Sequence, residues 1–105
     1  MNIQYYSDDI EEFIESLENN TIAKVLRTFE LLEKFGNQLG MPHSKKVGNG
    51  LFELRIRGNQ EVRFLYVFQK GQIVIILSGF IKKTMKIPTR ELNLAIKRKK
   101  DIDCT

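Results

Sequence analysis

Positive charge carried on strand-patterned sequence is the first chemistry this chain offers. Arg55, Arg57 and Arg63 fall in two segments that alternate apolar and polar residues, and all three take positions off the apolar face. In an antiparallel pair such side chains come within about 5 Å of each other when they stand opposite, and like charges there repel. Two arrangements relieve the repulsion. One pairs the arginines with Glu53 and Glu61; the other presents them to an anionic partner, since a planar guanidinium fork matches a phosphate. Lys82, Lys83 and Lys86 follow directly after a strongly apolar run, so they stand at the rim of a sheet. Lys45 and Lys46 add charge from a glycine-rich stretch.

Other chemistries lack their parts. One histidine, His43, and one cysteine, Cys104, cannot make up the usual ligand set of a zinc site, so no metal is expected. There is no GxxxxGK[ST] string and no GxGxxG after a strand, so no nucleotide cofactor is expected. A Ser/His/Asp or Cys/His nucleophile would have to recruit His43 from a loop. Cys104, next to last, reads as a tail residue.

The 105 residues carry a net charge of +4, unevenly spread. Up to Pro42 there are 8 acidic and 3 basic residues; from His43 onward there are 5 acidic and 14 basic. A chain that is acidic and then basic suits a polyanion-facing surface in its second half. Hydrophobic residues at 42% and charged residues at 29% argue for one folded domain over residues 1–105 and against disorder. The longest apolar run, Ile73 to Ile81, is far short of the roughly 20 residues of a membrane-spanning helix. With one cysteine and no signal-like start, a reducing cytoplasm is the expected compartment.

The elements that must position these charges follow from the periodicity. Ile10, Phe13, Ile14 and Leu17 make a helical stripe, with Ser7 as cap and Asp8, Asp9, Glu11 and Glu12 in the first turn. A short strand, Ile3 to Tyr6, precedes it. A second helix carries Ile22, Val25, Leu26, Phe29, Leu32 and Phe35 on one side and ends at Gly36. Asn37 to Gly50 reads as a loop. Three strands follow, Leu51 to Arg57, Glu61 to Phe68 and Ile73 to Phe80, the last apolar on both faces. Strand parity puts Tyr66 with Phe64 and Phe68, in the core. A final helix opens at Pro88 and Thr89, with Leu92, Ala95 and Ile96 as its stripe. The expected fold is α+β: two N-terminal helices packed on a small antiparallel meander, with a C-terminal helix.

Three strings at these places, Gly50 to Arg55 (GLFELR), Val62 to Tyr66 (VRFLY) and Gly79 to Thr84 (GFIKKT) with Lys86 and Pro88, resemble the HigB-like, phage-derived branch of the RelE/ParE toxin superfamily. The order of helices and strands resembles that family over nearly the whole chain. The resemblance implies a RelE-like toxin of a type II toxin–antitoxin pair, an endoribonuclease that cuts messenger RNA in the ribosomal A site without a metal. It implies two further partners, the ribosome and a cognate antitoxin, a helix-turn-helix protein of the HigA kind. By the same resemblance Arg63 contacts the scissile phosphate, Lys82 and Lys83 stabilise it, and Arg55 lines the groove. Glu53 is a candidate acid or base, and Arg57, Lys45, Lys46 and Lys86 are candidate RNA-binding residues. The other branch, ParE-like, implies a non-enzymatic inhibitor of DNA gyrase.

Overall fold

A computed structural model describes residues 1–104 of the chain. Its elements are β1 (Asn2–Tyr5), α1 (Asp8–Glu15), α2 (Asn19–Phe35), β2 (Ser44–Gly48), β3 (Leu51–Ile56), β4 (Val62–Gln69), β5 (Ile73–Ile81) and α3 (Thr89–Asp103), with a 3-10 turn at Gly36–Gln38. The strands form one sheet in the order β1-β5-β4-β3-β2. The fold is α+β, as the periodicity of the sequence implies.

Two features of the sheet differ from what the sequence pattern implies. The segment expected as a loop, Asn37 to Gly50, contains β2, which pairs antiparallel with β3 through Ser44↔Leu54 and Lys45↔Glu53. A five-residue edge strand carrying two lysines is read poorly from sequence, because only its inner edge is hydrogen-bonded and its burial does not alternate. The N-terminal strand lies parallel to β5, with Ile3 opposite Val74, so the sheet is mixed and not purely antiparallel. Ser7 does stand at the N-cap of α1 with an extended backbone, but its hydroxyl bonds the Asp9 carboxylate and not the helix backbone.

Both faces of the sheet are covered, in different ways. On one face α1 and α2 deliver Ile10, Ile14, Val25, Phe29 and Leu32 onto Leu54, Phe64, Tyr66, Val74 and Ile76. Phe64 packs edge to face with Phe29 at 5.2 Å and with Phe13 at 5.9 Å. Tyr66 is fully buried, as its strand parity requires, and its hydroxyl shares a hydrogen bond with Ser44 of β2. Burial raises the Tyr66 phenol above its ordinary pKa, an effect that the Ser44 hydrogen bond partly offsets. Leu26 and Phe35, placed on the same stripe by spacing, lie at its margin and stay exposed. Gly36 terminates α2 with φ 56°, a left-handed conformation that suits glycine.

On the opposite face α3 covers only part of the sheet. Ala95 packs with Leu51, Leu65, Val67, Ile75, Leu77 and Phe80. The helix is pinned by Arg98, which donates to both carboxylate oxygens of Asp9 at 3.1 and 3.2 Å and to the Leu77 carbonyl at 2.9 Å. Tyr6 adds a 2.5 Å hydrogen bond from its hydroxyl to Asp101. The rest of this face, toward the β3–β4 end, is left to charged side chains.

Candidate functional site

That uncovered end is a cleft of about 630 Å³, lined by Lys45, Glu53, Arg55, Arg57, Glu61, Arg63, Lys82, Lys83, Thr84 and Met85. Six cations and two carboxylates meet there, which leaves the cleft strongly positive. Each element contributes through its register. Arg55 of β3 stands directly opposite Arg63 of β4, and Lys45 of β2 stands opposite Glu53. The backbone N–H of Lys82 donates to the Glu61 carbonyl at 2.7 Å and ties the exit of β5 to the start of β4. From there the chain turns over the cleft, held by a 3.0 Å bond from the Thr84 hydroxyl to the Lys86 carbonyl.

The like charges of Arg55 and Arg63 are separated by giving them different partners. Arg63 is 3% exposed; one nitrogen of its fork donates to the Val62 and Ile56 carbonyls at 2.9 and 3.3 Å, and the other to Glu61 at 3.1 Å. Arg55 turns to Glu53 at 3.7 Å, with a second contact from its fork to the sulfur of Met41. Glu53 is also 3% exposed, and Lys82 lies 4.0 Å from its other oxygen. Its Oε2 accepts no hydrogen bond among the described residues, and neither Arg55 Nε nor Arg63 Nε donates one. A buried carboxylate with one oxygen unfilled, flanked by Arg55 on one oxygen and Lys82 on the other, is an uncommon thing for a fold to keep.

The sequence candidates therefore divide. Glu53, Arg55, Arg57, Arg63, Lys45, Lys82 and Lys83 come together; Lys46 and Lys86 do not line the cleft. Lys46 is the strand neighbour of Lys45 and points to the other side, and Lys86 lies past the turn. Met85 was not legible as a cleft residue. It is 94% exposed, and its only sequence signal is an apolar side chain amid lysines. Among the described residues no three His, Cys, Asp or Glu side chains are grouped to hold a metal ion.

Residues 12–100 match the family model described as phage derived protein Gp49-like. The chain belongs to the Gp49-like family. No curated protein matches it. The Gp49-like family is a RelE/HigB-like toxin family of toxin–antitoxin systems, and membership implies an antitoxin partner. The matched segment includes every residue that lines the cleft of this Gp49-like chain. No helix among the described residues is long and apolar enough to cross a membrane.

Glu61 makes a pH-sensitive contact in the cleft. The backbone N–H of Gly58, with Arg63 next, holds the Glu61 carboxyl below its ordinary pKa of 4.5. A carboxylate depressed in the folded state adds stability that is complete above its unfolded pKa and is lost as pH falls through the folded one. Urea midpoints of the wild type are thus expected to fall as pH drops below about 4.5, and Glu61→Gln should flatten part of that fall. An identical pH profile for the two proteins would show that the Gly58 and Arg63 contacts contribute nothing.

Proposed function

We propose that this Gp49-like chain is a ribosome-dependent endoribonuclease that cuts messenger RNA in the A site, the toxin of a type II pair. The observation that carries the reading is the buried Glu53 carboxylate with an unfilled acceptor, set in a cleft lined by six cations. In the reaction the RNA 2′ oxygen attacks the adjacent phosphorus, the bond to the 5′ oxygen breaks, and a cyclic phosphate and a 5′ hydroxyl result. Glu53 takes the 2′ proton once the Lys82 ammonium, 4.0 Å from its Oε2, swings onto the phosphate and uncovers the carboxylate. Negative charge grows on the non-bridging oxygens, where Arg55, Lys82 and Lys83 donate hydrogen bonds; each well-placed donor is worth about 2.7 to 4 kcal/mol. Arg63 adds fixed positive charge at the floor and holds the β3–β4 end in place. The leaving 5′ oxygen takes its proton from the ammonium of Lys82 or Lys83, since an arginine does not release one. General acid and base help of this kind contributes about 10²- to 10⁴-fold. Lys45 and Arg57 guide the flanking phosphates, and Lys46 and Lys86 act outside the cleft as longer-range RNA contacts.

No aromatic residue lines the cleft among those described, so base stacking inside it falls to Met85 and the arginine planes. A site with little base-gripping surface depends on something else to fix the RNA, and a decoding ribosome supplies that orientation. Primer extension on a defined messenger RNA, with and without translating ribosomes, tests the reading. Cuts that require both the wild-type protein and ribosomes are expected. An absence of cuts in every lane would overturn it and turn attention to ParE-like gyrase inhibition, measured by gyrase binding.

A further inference from the structure

A second cavity, of about 340 Å³, lies beside the cleft between α2, the entry to β2 and the exit of β3. Leu31, Pro42 and Ile56 give it apolar surface, Thr28 and His43 also line it, and Lys24, Arg27 and Arg57 bring positive charge. The cations are conspicuous because the first 42 residues hold only 3 basic side chains, and two of them stand here. Lys24, Arg27 and Leu31 follow helical spacing along α2, next to the stripe that α2 buries. Lys24 is positioned by a 3.4 Å contact from its ammonium to the Arg57 carbonyl. Arg57 belongs to both cavities and joins them. At the small end of ligand pockets in size, the cavity has room for one apolar side chain.

We propose that this cavity seats an acidic protein segment through a single apolar anchor residue, with the segment's carboxylates on Lys24, Arg27 and Arg57. The argument is charge complementarity around an apolar floor. A nucleic acid would find phosphate partners on the rim but would present polar base edges to Leu31, Pro42 and Ile56; a leucine or similar side chain buries there at no such cost. The family implies a protein partner, and a segment anchored here would run past Arg57 to the mouth of the basic cleft, where further acidic residues would compete with RNA. The inference rests on the partner and not on RNA cleavage, so peptide binding and cutting fail separately.

The probe is a fluorescently labelled peptide with one central leucine flanked on both sides by aspartate and glutamate, titrated with the full-length protein at about 0.15 M salt so that loose electrostatic binding is screened. Saturable binding is expected, weakened about 10-fold when serine replaces the leucine and about 10-fold by the exposed-site variant Arg27→Glu, a difference of about 1.4 kcal/mol in each case. Lys45→Glu, at the far side of the cleft, should leave the affinity within about 2-fold, and circular dichroism confirms the fold of both variants. Equal affinity for the leucine and serine peptides would overturn the proposal, because the apolar pocket would then play no part. It would also be overturned if Arg27→Glu weakened binding of a uridine oligonucleotide while leaving the peptide untouched, which would make this surface an extension of an RNA track.

Discussion

Arg63→Ala is expected to abolish messenger RNA cleavage, by about 10³-fold or more, and at the same time to lower stability by about 2 to 3 kcal/mol. The two losses have one cause. The guanidinium is buried and is spent on the Val62 and Ile56 carbonyls and on Glu61. Truncation leaves buried acceptors without a donor, and it frees the β3–β4 end that holds Arg55 and Glu53 in position. Removing one side of a buried ionic network costs up to about 3 to 5 kcal/mol; the lower figure applies here because the Glu61 side chain is 39% exposed. A chain of this size retains enough stability to stay mostly folded.

Arg55→Ala tests a direct phosphate contact. Arg55 donates to no backbone carbonyl that would be left bare, but it is the nearer cation to the buried Glu53 carboxylate, so its loss should lower cleavage about 10²-fold and stability by up to about 3 kcal/mol. Urea unfolding and primer extension on the same preparations read both quantities. A folded Arg63→Ala protein that cuts at the wild-type rate would sink the cleft as the site of cleavage. Full activity in Arg55→Ala would remove that arginine from the phosphate contacts.

The contrast between these two arginines marks what the sequence could and could not reveal. Alternation placed Arg55 and Arg63 on one face of adjacent strands, and the register puts them opposite each other. Their unequal burial was not legible. It arises from partners that alternation does not encode: Arg63 donates to the Val62 and Ile56 carbonyls and to Glu61, and Lys82 lies beside Glu53, while Arg57 past the strand end stays exposed. The same limit explains β2. Ser44 is buried against Leu54 of β3 and hydrogen-bonded to Tyr66 of β4, and no local pattern in Ser44–Gly48 encodes those neighbours. Hydrophobic stripes were legible wherever the partner was a whole face, as for Val25, Phe29 and Leu32; they overran at Leu26 and Phe35, where that face ends.

Gly79→Val is expected to destabilise the fold by about 2 to 3 kcal/mol. Gly79 of β5 pairs with Phe64 of β4, and in place of a side chain it receives two rings. A Cβ built there would lie 2.7 Å from Phe64 Cε1 and 2.8 Å from Phe13 Cδ2. Phe64 has no room to withdraw, since it is fully buried and wedged against Phe29 as well. The strain would fall on β5 two residues before its exit, where Lys82 is tied to Glu61. The neighbouring position gives the control. Ser78 faces the other way, and its buried hydroxyl has no hydrogen-bond partner among the described residues, so Ser78→Ala should be neutral or stabilising by up to about 1 kcal/mol. Two substitutions one residue apart on the same strand should therefore shift the urea midpoint in opposite directions or leave only Gly79→Val lowered. A Gly79→Val protein as stable as wild type would mean that the Phe13 and Phe64 rings repack freely, and the helix-covered face would then not be what fixes the position of Lys82 and Lys83 over the cleft.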